Sequence, residues 1–276
     1  MEKYISAIAL FSFLIITACT EETPFAPESN LVVIRGYLYA NAPVTEIQLS
    51  STLGLGSEDS VGPPISDADV KLIKDGKTYQ LEPTSGRAGY YNYPGTNLPV
   101  STGDNFRIEV AYFGRLASAE TVVPPAPVGI KMSIDQLVVQ DFSTGGFGFR
   151  RQFMSEDTSA VRVTWQNEDN SSYYVTLENV EASPEQIETG MPFGRPGRII
   201  SIPITGDEYI VSLFSVTHYG RHKAKVYRVN QEYVDLYSTR QQDTRDLNEP
   251  LTNVVNGLGV FTAFNSDSVF FNVVHE

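Results

Sequence analysis

The sequence predicts a mainly β protein made of two β-sandwich domains of the immunoglobulin/fibronectin-like type, with one short helix near the C-terminus. Three observations predict it. Short segments alternate apolar and polar residues at period two, as strands with one buried face do. Turn residues interrupt these segments about every 8–12 residues, the spacing of sandwich folds. The 276 residues also include 15 Tyr and 15 Phe, side chains that suit strands better than helices. No internal repeat argues for a propeller or solenoid.

Residues 31–39 (Leu-Val-Val-Ile-Arg-Gly-Tyr-Leu-Tyr) form the first expected strand. Residues 70–73 and 78–81 flank Lys74-Asp75-Gly76-Lys77, and Asp-Gly between strands suits a type I′ hairpin turn with positive φ at both centres. Phe106, Ile108 and Val110 alternate with Arg107 and Glu109. Pro124, Pro125 and Pro127 cannot join a sheet ladder and mark a boundary. Alternation resumes over 161–166, 173–177 and 209–216, and Trp165 falls at a core position. A helix is expected across 228–241, where Val229, Tyr233, Leu236 and Tyr237 share a face.

The N-terminus carries a different signal. Lys3 precedes a short apolar run that ends in Ile16-Thr17-Ala18-Cys19. A charged start, a short apolar core and a small residue before the cut describe a secretory signal, and the run falls short of a membrane span. The four residues resemble the bacterial lipobox, which implies cleavage before Cys19 and acylation of the chain's single Cys. Several acyl chains, at about 0.8 kcal/mol per buried methylene, anchor a protein stably. Glu21 and Glu22 follow and are similar to the surface-export signal of Bacteroidota lipoproteins. The expected organisation is a signal peptide over 1–18, a lipidated tether over 19–29, an N-terminal sandwich over 30–125 and a C-terminal sandwich with the helix over 126–276.

Charge and motif content narrow the function. Lys+Arg number 20 against 33 Asp+Glu, a net charge of -13, and no basic run offers a nucleic-acid surface. There is no G-x-S-x-G elbow, H-E-x-x-H helix or G-x-G-x-x-G turn. The expectation is a protein without catalytic residues or cofactor. His218 and His222 would share a face of an extended strand, but Arg221 lies between them and no third ligand is evident, so no metal is expected. His275, next to last, is expected to be mobile. Asn167-Glu168-Asp169-Asn170-Ser171 lacks the Gly and closing Glu of a calcium loop and reads as a polar turn.

Two glycine-rich loops stand out. Residues 141–153 hold Phe147, Phe149, Arg150 and Arg151, and residues 189–198 hold Phe193, Arg195 and Arg198. Exposed aromatics and arginines dominate interface hot spots, so these seven are the candidate partner contacts. Ser60 and Ser268, in Asp-Ser-Val tripeptides, resemble O-glycosylation sites of Bacteroidota.

The closing stretch from Glu249 to Phe264, Glu-Pro-Leu-Thr-Asn-Val-Val-Asn-Gly-Leu-Gly-Val-Phe-Thr-Ala-Phe, resembles the signature of the Bacteroidota family of domain-of-unknown-function 4249. Cys19, residues 31–39, Pro63 to Val70, Gly89-Tyr90-Tyr91 and Pro124-Pro125 match in order; Thr262-Ala263 departs from the family's more usual Gly-Ala. The resemblance implies an outer-membrane lipoprotein on the extracellular side that acts as accessory or capping subunit of a TonB-dependent transporter. The alternative is a stand-alone glycan- or peptide-binding surface lipoprotein.

Overall fold

The computed structural model describes residues 31–53, 61–139, 161–187, 198–211, 216–240 and 251–275. They form a mainly β protein with one short helix. Before the prolines come β1 (Val32–Tyr39), β2 (Glu46–Ser51), β3 (Asp69–Lys74), β4 (Lys77–Pro83), β5 (Tyr90–Asn92), β6 (Asn105–Tyr112) and β7 (Arg115–Val122). After them come β8 (Val128–Met132), β9 (Gln136–Val139), β10 (Val161–Gln166), β11 (Ser172–Asn179), β12 (Arg198–Ile200), β13 (Glu208–Val211) and β14 (Gly220–Val229). Helix α1 (Gln231–Arg240) and the strand β15 (Leu258–His275) complete the order. Hydrogen-bonded neighbours run β12-β11-β14-β15-β1-β2-β5-β4-β3-β6-β7, with β9 also on β15 and β13-β10-β8 as a separate sheet.

Local chemistry sets these elements. In β1, Val32, Ile34 and Leu38 face inward and are buried, as period two demands. The β3–β4 hairpin closes on the Lys74–Lys77 pair, with φ of 51° at Asp75 and 73° at Gly76, the expected turn. A first core gathers Ile34, Leu38, Ile47, Leu72, Tyr91 and Phe106. A second gathers Trp165, Tyr173, Val175, Leu177, Val226 and Phe271.

One strand serves both. Residues Leu258 to Phe264 of β15 pair in parallel with Val33 to Tyr39, and residues Phe264 to Val273 pair antiparallel with β14. Phe261 and Ala263 enter the first core while Phe271 and Val273 enter the second. All four are odd-numbered, so the same face of β15 serves both cores. The expected division into 30–125 and 126–276 is therefore corrected: the first core takes back Val254, Phe261 and Ala263 from the far end of the chain. The physical reason is that β1 would otherwise keep an unpaired edge along its hydrophobic length, and β15 covers it.

On the opposite face, Phe264 packs with Tyr174, Tyr227, Val229 and Tyr233 in a third cluster, joined by Tyr37 and Tyr39. Tyr174 and Tyr227 stack at 4.5 Å, and Tyr233 meets Phe264 edge-on at 4.9 Å. Helix α1 lies on this cluster through Tyr233, Val234 and Tyr237. Of the face expected for the helix, Val229 belongs to β14 instead, and Leu236 is not in the cluster. Strand β13 ends at Val211, and 212–215 lie outside the described residues.

The closing signature acquires a structural meaning here. The Asn253 amide donates to the Phe261 carbonyl at 2.7 Å, and its oxygen accepts from the Phe261 N–H at 3.0 Å. Thr252 donates to the Gly259 carbonyl at 2.7 Å, and Val255 exchanges backbone bonds with Ser118 of β7. Gly259 has φ 102°, and a Cβ there would stand 2.0 Å from the Ile34 carbonyl oxygen. Only glycine lets β15 approach β1 at this point. Gly259→Ala should cost more than about 2 kcal/mol. Urea unfolding read by Trp165 emission, in the other core, should show a lowered midpoint; an unchanged midpoint would mean that β15 does not couple the two cores.

Candidate functional site

Two places bring polar side chains from distant segments together: the end of the second core remote from β1, and a cleft between the two cores. At the remote end, β15 finishes beside β9, with His275 opposite Val139. Strand β11 ends there too, since Asn179 pairs with His222 and Glu178 with both Lys223 and Arg198. Val161 and Val211 pair at the same end of the second sheet. The described residues that flank both candidate loops, Val139 and Val161 for one and Ile187 and Arg198 for the other, thus converge on one end of the molecule.

The side chains between these flanks form a small network. His222 is 3% exposed, lies against Phe271 at 5.3 Å, and its Nδ1 is 3.1 Å from the Gly220 carbonyl. The carbonyl only accepts, so Nδ1 carries the proton and donates. His275 stacks on Tyr219 at 3.7 Å and stands 3.5 Å from Glu185. The expected mobility of His275 is corrected: β15 pairing and this stack fix the ring. Arg221 lies 4.1 Å over Phe270, which is 42% exposed, and its N–H donates to Glu181 at 2.8 Å. This exposed Arg–aromatic pair has the same chemistry as the two loops, yet no local sequence pattern marks it because Arg221 and Phe270 meet only through the β14–β15 register. Among the described residues no group of three or more His, Cys, Asp and Glu is arranged to hold a metal ion.

The cleft has a volume of about 470 Å³ and is lined by Thr102, Val122 to Pro125, Asp169 to Ser172 and Arg228 to Gln231. Arg228 bonds the Asp169 carboxylate and, at 2.6 Å, the Ser171 hydroxyl. Ser171 first, then Arg228, hold the Asp169 carboxyl below its ordinary pKa. The 167–171 segment is a polar turn, as expected: Asn167 accepts from the Ser171 N–H at 2.9 Å and donates to the Thr205 carbonyl at 2.7 Å. Across the cleft, Asn230 donates to Thr121 at 3.0 Å and to the Val122 carbonyl at 2.8 Å, and Thr121 donates to Glu232 at 2.6 Å. Asn265 donates to Thr102 and to the Pro124 carbonyl, both at 2.9 Å. These bonds hold the two cores together.

A family model described as "Domain of unknown function (DUF4249)" matches residues 19–269. The chain belongs to the DUF4249 family. No curated protein matches it. Among solved structures it is similar to chicken CNTN1 FN1-FN3 domains, with 11% identity and a TM-score of 0.23. That likeness covers 90% of this chain and 66% of the other, so this chain spans less than two thirds of its length.

The DUF4249 match opens at Cys19, the residue singled out for acylation, and runs through both cores into the second half of β15. Cys19, Glu21, Glu22, Ser60, Phe147, Phe149, Arg150, Arg151, Phe193 and Arg195 lie outside the described residues. Arg198 opens the edge strand β12. Ser268 is half-buried within β15, opposite Lys225 of β14.

Burial pulls the His222 pKa below its ordinary value of 6.5, a shift that the Gly220 carbonyl opposes. The unfolded chain thus takes up this proton at a higher pH than the folded one. The stabilisation is complete above about pH 6.5 and is lost as pH falls toward the lower folded value. The melting temperature should therefore fall on acidification from about pH 7.5 to about pH 5.5. It should fall less for His222→Gln; calorimetry of both proteins across that range tests it, and equal slopes would show that His222 contributes nothing.

Proposed function

We propose that this DUF4249 protein is an outer-membrane lipoprotein displayed on the cell surface of a member of the Bacteroidota. There it serves as a non-enzymatic accessory or capping subunit of a TonB-dependent transporter. The observation that carries the reading is the coincidence at Cys19: a lipobox-like run ends on the chain's single Cys, and the family match begins on the same residue. Acidic Glu21 and Glu22 support export to the outer face. The architecture in this reading is two sandwich units that share β15, with 20–29 as the tether. The partner contacts are Phe147, Phe149, Arg150, Arg151, Phe193, Arg195 and Arg198. The flanks of both loops meet at one end of the second core, as a single contact surface requires.

Mild detergent extraction of the native outer membrane, with a C-terminal tag on this protein, should recover a transporter in near-equal amount. Cys19→Ala should release the protein from the membrane fraction. Phe149→Ala with Arg150→Ala should leave anchoring intact and weaken transporter recovery by about 30-fold or more, since a hot-spot truncation costs about 2 kcal/mol. Recovery of the protein alone, while other membrane complexes survive the same detergent, would replace the transporter reading with that of an independent glycan- or peptide-binding lipoprotein.

A further inference from the structure

The end of the first core opposite the cleft presents an unusual surface. The β6–β7 hairpin turns on Phe113 and Gly114, between the paired Tyr112 and Arg115. Phe113 has φ 46°, a left-handed conformation that bulky side chains seldom adopt, and it is 77% exposed. No other exposed large hydrophobic among the described residues leaves as much of its surface in water. Its ring touches Tyr112 at 4.4 Å. The β3–β4 hairpin has the same kind of turn, built from Asp75 and Gly76 at the other end of the same unit. That pairing is the one such turns favour, so an aromatic at the equivalent position is a departure that folding does not require.

Phe113 is not alone. Leu116, 48% exposed, follows it on β7, and Val255, 60% exposed, bridges to Ser118 on the same strand. Val61, 60% exposed, precedes the segment that bonds Ser51 beside Val32. Leu31, where the described chain begins, lines a cavity of about 340 Å³ with Arg115, Leu116 and Asn256. The chain therefore enters the fold at this apolar end, and Leu31 lies 12 positions after Cys19 (31 − 19). A tether of that length spans at most about 40 Å, so this end is the one that an acyl anchor keeps against the bilayer.

We infer that this end of the first unit is a lipid-contacting surface, with Phe113 at the hairpin tip seated in the interfacial region of the outer membrane beside the anchor. The inference rests on acylation of Cys19, as proposed above. An apolar rim with an aromatic tip and an adjoining Arg is the chemistry of interfacial insertion. The anchor makes the contact intramolecular, so an insertion too weak to hold a free protein suffices here. The outcome is an orientation: β15 leads away from the membrane, and the loop-flanking end of the second core points outward.

The test uses the acylated full-length protein in phosphatidylcholine–phosphatidylethanolamine vesicles. An environment-sensitive dye is attached to Phe113→Cys, to Val255→Cys, which keeps Phe113, or to Asp75→Cys at the opposite end. With Cys19 acylated, the introduced thiol is the single site of labelling. Dyes at 113 and 255 should shift to the blue on vesicles and be quenched by lipids carrying a nitroxide near the headgroup, whereas the dye at 75 should do neither. If the vesicles float with the protein but all three dyes report water, the surface does not meet lipid and the inference fails while the anchor stands. If the unsubstituted protein takes up dye at Cys19 and does not float, the anchor fails and this orientation fails with it.

Discussion

The structure depends on β15 belonging to two cores at once. A strand of 18 residues, roughly 60 Å of contour, spends its first part against β1 and its remainder against β14, with Phe264 at the change of partner. The odd-numbered side chains supply both cores, so a one-residue slip would expel Phe261, Ala263, Phe271 and Val273 together. Register errors in either half are thereby penalised by the other. The Asn253 clamp and the glycine at 259 fix where the strand begins, which gives the most recognisable stretch of the sequence a structural role. It is a docking device for the chain's own last strand.

Joining two cores through a shared strand changes what their interface must do. Ordinary neighbouring domains meet over polar surfaces and move relative to one another unless the contact is large and apolar. Here the connection is covalent and hydrogen-bonded along β15, and a cluster of aromatic rings around Phe264 fills the angle beside it. Ring pairs of this kind contribute about 0.5–1.5 kcal/mol each beyond their burial. Burial also raises the Tyr233 phenol pKa, which keeps the hydroxyl neutral on that face. The Asn230, Asn265 and Thr121 bonds across the cleft fix the cores in direction more than in strength, because each neutral hydrogen bond adds only about 1 kcal/mol net.

Much of the fold was legible because it is local. Period-two alternation located β1, β6, β10 and β11, and Asp75-Gly76 specified its own turn. What was not legible is long-range pairing. Val33 and Leu258 are 225 positions apart (258 − 33), and no local pattern names a partner at that distance. A trace was present in Val260-Phe261-Thr262-Ala263-Phe264, where alternation gives way to a run buried throughout. Such a run marks a strand covered on both faces. The candidate contact loops were readable by composition alone, and the meeting of their flanks at one end depends on the β11–β14–β15–β9 register. The contact of Arg221 with Phe270 depends on the same register.

The departure at Thr262 shows how tightly the shared strand is constrained. Its side chain is fully buried, and its hydroxyl finds no hydrogen-bond partner. A buried hydroxyl left unmatched costs about 1–3 kcal/mol, so the residue is tolerated rather than required. Its backbone is another matter, since it pairs with Tyr37 of β1 inside the parallel ladder. The strand thus accepts a poorly matched side chain on the face turned away from Phe261 and Ala263, while Gly259 admits none at all. Stability in this protein is held by backbone register along β15, and the surfaces at its two ends are left free to differ: apolar beside Leu31 and Phe113, polar and aromatic beside His275.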